Sequence, residues 1–318
     1  MLQRKMKSEV GIVSFFDLKT GDLQKVRSHN KARFFSKFGI LSKLACLLIV
    51  GCFLSIGCAK QSDEITVISR EEGSGTRGAF IELFGIEEKG DGFRTDRTTK
   101  EAVIAKQTDV LMVGVAGDAN AIGYISLGSL NDTVKAIPID GVTPTQENVQ
   151  NGSYQVSRPF ILATKSQINE IAQDFMDFIL SAQGQTIVSN SYIAAASDQL
   201  MYNPSTLYGK IVVAGSSSVM PLMEKLKEAY ELLNPNVTVE VQQSDSTTGL
   251  LGAIDGTCDI AMSSRDLKGE ELESLTPTTI ALDGIAIIVH VDNPISGLTS
   301  TQIREIYVGE TLHWSELQ

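Results

Sequence analysis

The clearest hydrophobic periodicity lies between residues 210 and 266. Ile211 to Ala214 is β-branched and apolar and predicts a strand. From Val219 to Leu233 the apolar residues Val219, Leu222, Met223, Leu226, Tyr230 and Leu233 recur every three or four positions, as one buried helix face requires. Asn234-Pro235-Asn236 ends that helix. Val237 to Val241 predicts a second strand, Thr247 to Ile254 a short helix, and Asp259 to Met262 a third strand. This alternation predicts a parallel α/β sheet, whose ligands sit beyond the carboxyl ends of the strands.

The first half follows the same pattern. Ile65 to Ile68 predicts a strand leading into a helix that continues through Gly78 to Phe84. Ala121 to Ser126 and Phe160 to Ala163 predict strands, and Ile168 to Ser181 an amphipathic helix with Ile171, Phe175, Phe178 and Ile179 inward. The polar stretch Asp198 to Gly209, with Asn203-Pro204-Ser205, is the best linker. The body from Cys58 to Gln318 has room for one large domain or two lobes.

Two strand-to-helix turns carry candidate chemistry. Arg70-Glu71-Glu72-Gly73-Ser74-Gly75-Thr76 and Gly215-Ser216-Ser217-Ser218-Val219 each follow a strand-like run and open a helix. Backbone N–H groups and hydroxyls at helix N-termini favour an anion. Arg70 adds a forked, permanently charged donor suited to tetrahedral oxyanions. Two such turns, one with an arginine, predict a small anion held from both sides.

The N-terminus is read apart from the fold. Lys31, Arg33, Lys37 and Lys43 precede the apolar run Leu44 to Gly57, which contains Cys52 and ends at Cys58. A basic flank, a short apolar stretch and small residues before a cysteine predict a bacterial lipoprotein signal over residues 1–58, with Cys58 or Cys52 lipidated. An uncleaved membrane anchor is the rival reading. Ten Lys and Arg against three Asp and Glu put +7 on the first 57 residues, so with −11 overall the remainder carries −18. That acidity argues against a nucleic-acid partner and makes anion capture depend on a local field. Cys258 is the one cysteine after residue 58, so no internal disulfide is available; a buried strand thiol is the expectation. With only His290 and His313 in the body, no Cys/His metal site and no cofactor are expected. No catalytic nucleophile–base pair is evident either.

The motifs resemble those of the phosphate-binding lipoproteins that feed ABC phosphate importers, a family of periplasmic-type solute-binding proteins. The matching segments are Val213 to Leu222, Ser244 to Gly249, Gly256 to Arg265, Ala281 to Val289 and Trp314-Ser315-Glu316. Ser69 to Arg77, Ala121 to Gly128 and Ser157-Arg158-Pro159 complete the set. Their order is reversed, because the Gly-Ser-Gly-Thr half comes first, so the chain reads as a circular permutation. The resemblance implies a two-lobed α/β fold of the periplasmic-binding-protein type with mostly parallel sheets. Residues 157–285 form a continuous lobe that contains the permutation linker near 198–209. Residues 59–156 plus 286–318 form the other lobe. A rearranged gene, with halves that pair between chains or not at all, is the alternative.

Carried over by motif, the phosphate ligands are Arg70, Ser74, Gly75 and Thr76 from one lobe and Ser217, Ser218, Ser246 and Asp259 from the other. Asp259 is the expected discriminator: a carboxylate accepts the proton of hydrogen phosphate and repels sulfate. A helix-capping or turn role for Asp259, a surface ion pair for Arg265, solvated helix-start acids at Glu71 and Glu72, and a structural Asp283 at the lobe crossover are the competing roles. The resemblance implies extracytoplasmic phosphate capture, lipid attachment to a bacterial membrane, and delivery to the permease of an ABC importer. The alternatives are a non-transporting sensor, an inactive rearranged lipoprotein, or a secreted phosphatase.

Overall fold

The computed structural model describes residues 63–90, 94–195 and 200–317 of the 318. The leader, with Cys52 and Cys58, lies outside the described residues, as does part of the linker. Chain order begins with β1 (Thr66–Arg70), α1 (Gly75–Leu83), the hairpin β2 (Glu87–Lys89) and β3 (Arg94–Asp96), β4 (Val103–Ala105), α2 (Thr108–Ala116), β5 (Ala121–Ser126) and β6 (Lys135–Ala136). It continues with α3 (Gln146–Gln150), β7 (Ser157–Thr164), α4 (Glu170–Leu180), α5 (Ala182–Ser189), β8 (Ile193–Ala194), β9 (Gly209–Ser216), α6 (Met220–Leu233) and β10 (Val237–Ser244). Then come α7 (Ser246–Asp255), β11 (Ile260–Ser263), α8 (Gly269–Ser274), β12 (Thr276–Val289) and α9 (Ser300–Val308). Among the described residues no helix is long and apolar enough to cross a membrane.

One sheet runs β10-β9-β11-β7-β12-β5-β1-β4, with β6 and β8 attached to β12. Along that path β10/β9, β9/β11, β5/β1 and β1/β4 are parallel, while β11/β7, β7/β12 and β12/β5 are antiparallel. Along the path parallel pairs outnumber antiparallel ones, and the antiparallel ones, including β6 and β8 on β12, are confined to the centre. The α/β sheet expected from the alternation is present, with β9, β10 and β11 parallel.

The central strand β12 joins the two sides. Thr276 to Gly284 pairs with β7, whereas Ile285 to Val289 pairs with β5. The cores divide at the same point. On one side Phe160, Leu162, Phe175, Phe178, Ile211, Val213, Leu226 and Ile260 pack strands against α4, α5 and α6. On the other, Ile65, Phe80, Tyr124, Ile285, Ile287, Ile303 and Tyr307 pack strands against α1 and α9. Smaller clusters fill the opposite faces, under α2 through Leu111 and Val115 and under α7 through Leu250 and Ala253. Strands covered on both faces have no polar side, which is why Ile285 to Val289 is an unbroken apolar run.

The polar linker residues are tied down. Asp174 Oδ2 accepts hydrogen bonds from Tyr202 Oη, Tyr230 Oη and Ser205 Oγ, and Asn234 Oδ1 accepts from Ser205 N. Cys258 is buried just before β11, not within a strand as expected, and burial pushes its thiol up to about 11.

Candidate functional site

Four strand-to-helix turns open at the carboxyl ends of parallel strands: β1 into α1, β4 into α2, β9 into α6 and β10 into α7. Each contributes a side chain to one buried cluster. Parallel pairing aligns the strand ends, so the helix N-termini that follow converge, and their partial positive charges add. The sequence supplied two of these turns on glycine and serine content, and Ser246 marked a third.

Arg70 ends β1 and is 2% exposed. Its Nε and Nη2 donate to Glu71 Oε2 and Oε1 at 2.9 and 2.7 Å. The remaining donors face hydroxyls: Nη1 to Thr108 Oγ1 at 3.1 Å and Nη2 to Ser217 Oγ at 2.9 Å. The strand end is held by Tyr124 Oη, which accepts from Arg70 N, and by Arg77 Nη1, which donates to the Arg70 carbonyl. Burial raises the Tyr124 phenol above its ordinary pKa, so it stays neutral.

Around the guanidinium the hydroxyls join the two sides of the sheet. Thr76 Oγ1 lies 2.8 Å from Ser218 Oγ, and Thr108 Oγ1 lies 3.2 and 3.1 Å from Ser217 Oγ and Ser218 Oγ. Ser218 N donates to Ser216 Oγ, which donates in turn to Ser264 Oγ. Ser246 Oγ accepts from Ser264 N at 3.1 Å. Ser74 caps α1 by accepting from Arg77 N. A Cβ built on Gly75 would stand 2.4 Å from Ser246 Oγ and 2.6 Å from Ser264 Oγ, so only glycine permits this approach. Thr247 N donates to the Gly73 carbonyl across the same seam. A cavity of about 390 Å³ between Leu83, Ile139, Tyr154 and Ser300 includes none of these residues.

The structure thus brings together Arg70, Ser74, Gly75, Thr76, Ser217, Ser218 and Ser246. It does not bring Asp259 to them. Asp259 immediately precedes β11, at its amino end, because β11 runs parallel to β9 and the cluster lies beyond the carboxyl ends. Its Oδ2 accepts from Val212 N and its Oδ1 from Asn169 Nδ2, both at 2.7 Å, a structural role that ties the turn before β11 to β9 and to the start of α4 and is not a helix cap. Glu71 is likewise not a solvated acid but the partner of Arg70. Arg265 is in an ion pair as expected, with Glu271, but is buried and not on the surface. Burial favours protonated Glu271; hydrogen bonds from Arg265 and from Lys268 N outweigh it and hold the carboxyl low.

Thr108 and Ser264 are the site residues that sequence reasoning missed. Thr108 follows a short strand, Val103 to Ala105, with no glycine to mark the turn. Ser264 stands in a motif at the end of β11 but was given no role. Behind it, Arg158 Nη1 donates to the Ser264 carbonyl, and Arg158 pairs with Asp283 at 3.1 Å. Burial pushes the Asp283 carboxyl up to about 6, against the pull of Arg158. Among the described residues no group of three or more His, Cys, Asp or Glu side chains is placed to hold a metal.

Known proteins resemble the chain over most of its length. The family model for the PBP superfamily domain matches residues 59–183 and 202–318. "Phosphate-binding protein PstS 2" of Streptococcus agalactiae is 48% identical over 256 residues, which covers 80% of this chain and 87% of the relative. The crystal structure of a phosphate-binding protein of a phosphate ABC transporter from Streptococcus pneumoniae is 44% identical. It superposes with a TM-score of 0.65, covering 80% of this chain and all of that one. The phosphate-binding protein PstS of Pseudomonas aeruginosa is 34% identical over 111 residues, 32% of this chain and 34% of its own length. On the strength of these matches, the chain belongs to the phosphate-binding protein PstS family, within the PBP superfamily.

Proposed function

We propose that this protein binds inorganic phosphate outside the cytoplasm and presents it to the permease of an ABC phosphate importer, as a transport component and not an enzyme. The observation that carries the reading is the buried cluster: one arginine and a set of neutral hydroxyls, drawn from the starts of four helices. Neutral donors grip phosphate oxygens without bringing a charge that must be desolvated. Arg70 supplies the one full positive charge, and the helix ends supply the rest of the field. Relatives of known name, matched nearly end to end, agree. The two cores on either side of the Gly284–Ile285 crossover act as lobes, residues 59–156 plus 286–318 and residues 157–285, and open by bending at β7 and β12. Attachment through a lipidated Cys58 or Cys52 holds the protein at the membrane surface. Calorimetric titration of the full-length protein with phosphate tests the reading. One phosphate per chain is the expected result, and a folded protein without binding overturns it.

The segment order is read as a circular permutation. What supports this is the meeting of the ends of the body. Ile65 N donates to the Leu312 carbonyl at 2.8 Å, Trp314 N donates to the Asp63 carbonyl at 2.9 Å, and Glu64 and His313 form an antiparallel bridge. A chain cut in an exposed loop leaves its new ends side by side in this way. Sequential matching over 87% of the S. agalactiae relative needs the same segment order there, while the P. aeruginosa relative is matched over a third of its length. A chain in which 209–317 precedes 63–207 is expected to fold and bind phosphate equally well. Failure of that chain to fold would count against the permutation.

A further inference from the structure

We propose that the Thr247 side chain, without touching the anion, sets how long it is held, by latching the two lobes together beside the cradle. The proposal rests on the phosphate reading above and on the lobes described with it, and gives a part to a seam that neither uses.

The seam runs between the turn that opens α1 and the turn that opens α7. Gly73 belongs to the lobe of residues 59–156 and 286–318, whereas Asp245, Thr247, Arg265 and Glu271 belong to the lobe of residues 157–285. The Gly73 carbonyl accepts twice from Thr247, from its N–H and from its Oγ1, both at 3.2 Å. Asp245 closes on the same glycine: a Cβ there would stand 2.2 Å from Asp245 Oδ1, an oxygen already held at 2.8 Å by Thr248 N. Arg265 packs on α1 too, since a Cβ on Gly78 would lie 3.4 Å from its Cδ.

The Thr247 hydroxyl is aimed by its neighbours. Arg265 Nη2 donates to Thr247 Oγ1 at 3.1 Å, which occupies a lone pair and leaves the hydroxyl proton for Gly73. Arg265 is clamped in turn. Its Nη1 and Nη2 donate to Glu271 Oε2 and Oε1, both at 2.8 Å, and Nη1 also donates to the Asp266 carbonyl. A buried ion pair that lies off the cradle therefore orients one threonine at the lobe seam.

Moving the lobes apart breaks both bonds to the Gly73 carbonyl and leaves each lobe's own cradle residues in place. The anion leaves from the separated form. A contact made only when the lobes are together therefore slows release, changes capture little, and raises affinity through the fraction of closed protein.

The test is stopped-flow kinetics and calorimetric titration of the full-length protein with phosphate, on the wild type, Thr247→Val and Thr247→Ser. Valine keeps the shape and the backbone N–H but loses the hydroxyl, and serine restores it. Thr247→Val is expected to release phosphate about three- to tenfold faster, with capture within about twofold of the wild type. Thr247→Ser is expected to match the wild type within about twofold. Gly73→Ala strains the same seam from the other lobe and is expected to speed release by about threefold or more, a second reading should Thr247→Val not fold. Wild-type release from a folded Thr247→Val or Gly73→Ala variant would overturn the proposal. So would slowed capture with unchanged release, or equal losses in Thr247→Val and Thr247→Ser. Each of those results leaves the phosphate reading standing, whereas a folded wild type that binds no phosphate overturns both.

Discussion

Arg70 and Arg158 are both 2% exposed, and each is paired with a carboxylate, yet they serve different ends. Arg158 spends its donors on Asp283, itself 1% exposed, and on the Ser264 carbonyl. Those partners are fixed acceptors, one on the crossover strand β12 and one just past β11, so nothing is left for a ligand. Arg70 gives one edge to Glu71, at the rim, and aims its other donors at Thr108 and Ser217. Those hydroxyls exchange readily for anion oxygens. A buried arginine marks a binding site when its partners are replaceable, and a structural joint when they are not.

The largest effect separating the two concerns the joint. Asp283→Asn turns an amide N–H₂ toward Arg158 or Ser126 where a carboxyl oxygen accepts, leaving a buried donor unpaired, and is expected to cost about 3 kcal/mol of stability, read as a lowered melting temperature. The Asp283 carboxyl, raised by burial to about 6 from an ordinary 3.8, keeps its proton longer in the folded protein than in the unfolded chain. Its contribution is therefore fully present below about pH 4 and is lost as pH rises through about 6. The stability advantage of the wild type over Asp283→Asn should shrink across that window, and melting curves at pH 4, 5 and 6 would reveal a flat or growing difference if the assignment were wrong.

The next effect belongs to the site. Arg70→Met is expected to weaken phosphate binding by about 100-fold or more, since two hydrogen bonds from a charged donor are lost, each worth ~1.5–3 kcal/mol. Its melting temperature should move far less than that of Asp283→Asn, and equal losses of stability in the two variants would erase the distinction. Thr108→Val keeps the shape and removes one hydroxyl, so phosphate affinity should fall by roughly three- to tenfold, about 1 kcal/mol. An unchanged affinity in a titration would take Thr108 out of the cradle. The smallest effect is predicted for Asp259→Asn, whose phosphate affinity should match the wild type within about twofold because the residue lies at the other end of β11. A large loss there would return Asp259 to the site.

Where the sequence was legible, each face had its own chemistry. Ala121 to Ser126 is a strand with the expected bounds, and α6 starts within one residue of the expected position because its apolar positions recur at helical spacing. Glycine and serine after an apolar run revealed the turns at Ser74 and Ser217. Thr108 stayed hidden because the Gln107-Thr108 turn needs no glycine and α2 shows little contrast between its faces. Asp259 was misplaced because nearness to a strand end does not say which end. That follows only from the parallel register between β11 and β9, a non-local fact. The partnership of Asp283 with Arg158, 125 residues apart, likewise exists only after β12 and β7 have paired.

The most direct test of the central claim is a crystal structure of the protein grown with phosphate. The account predicts one anion within hydrogen-bond distance of Arg70 Nη1 or Nη2 and of the hydroxyls of Thr76, Thr108, Ser217 and Ser246, with Asp259 still bound to Val212 N and Asn169. A phosphate seated elsewhere, or one that draws Asp259 into its coordination, would contradict it.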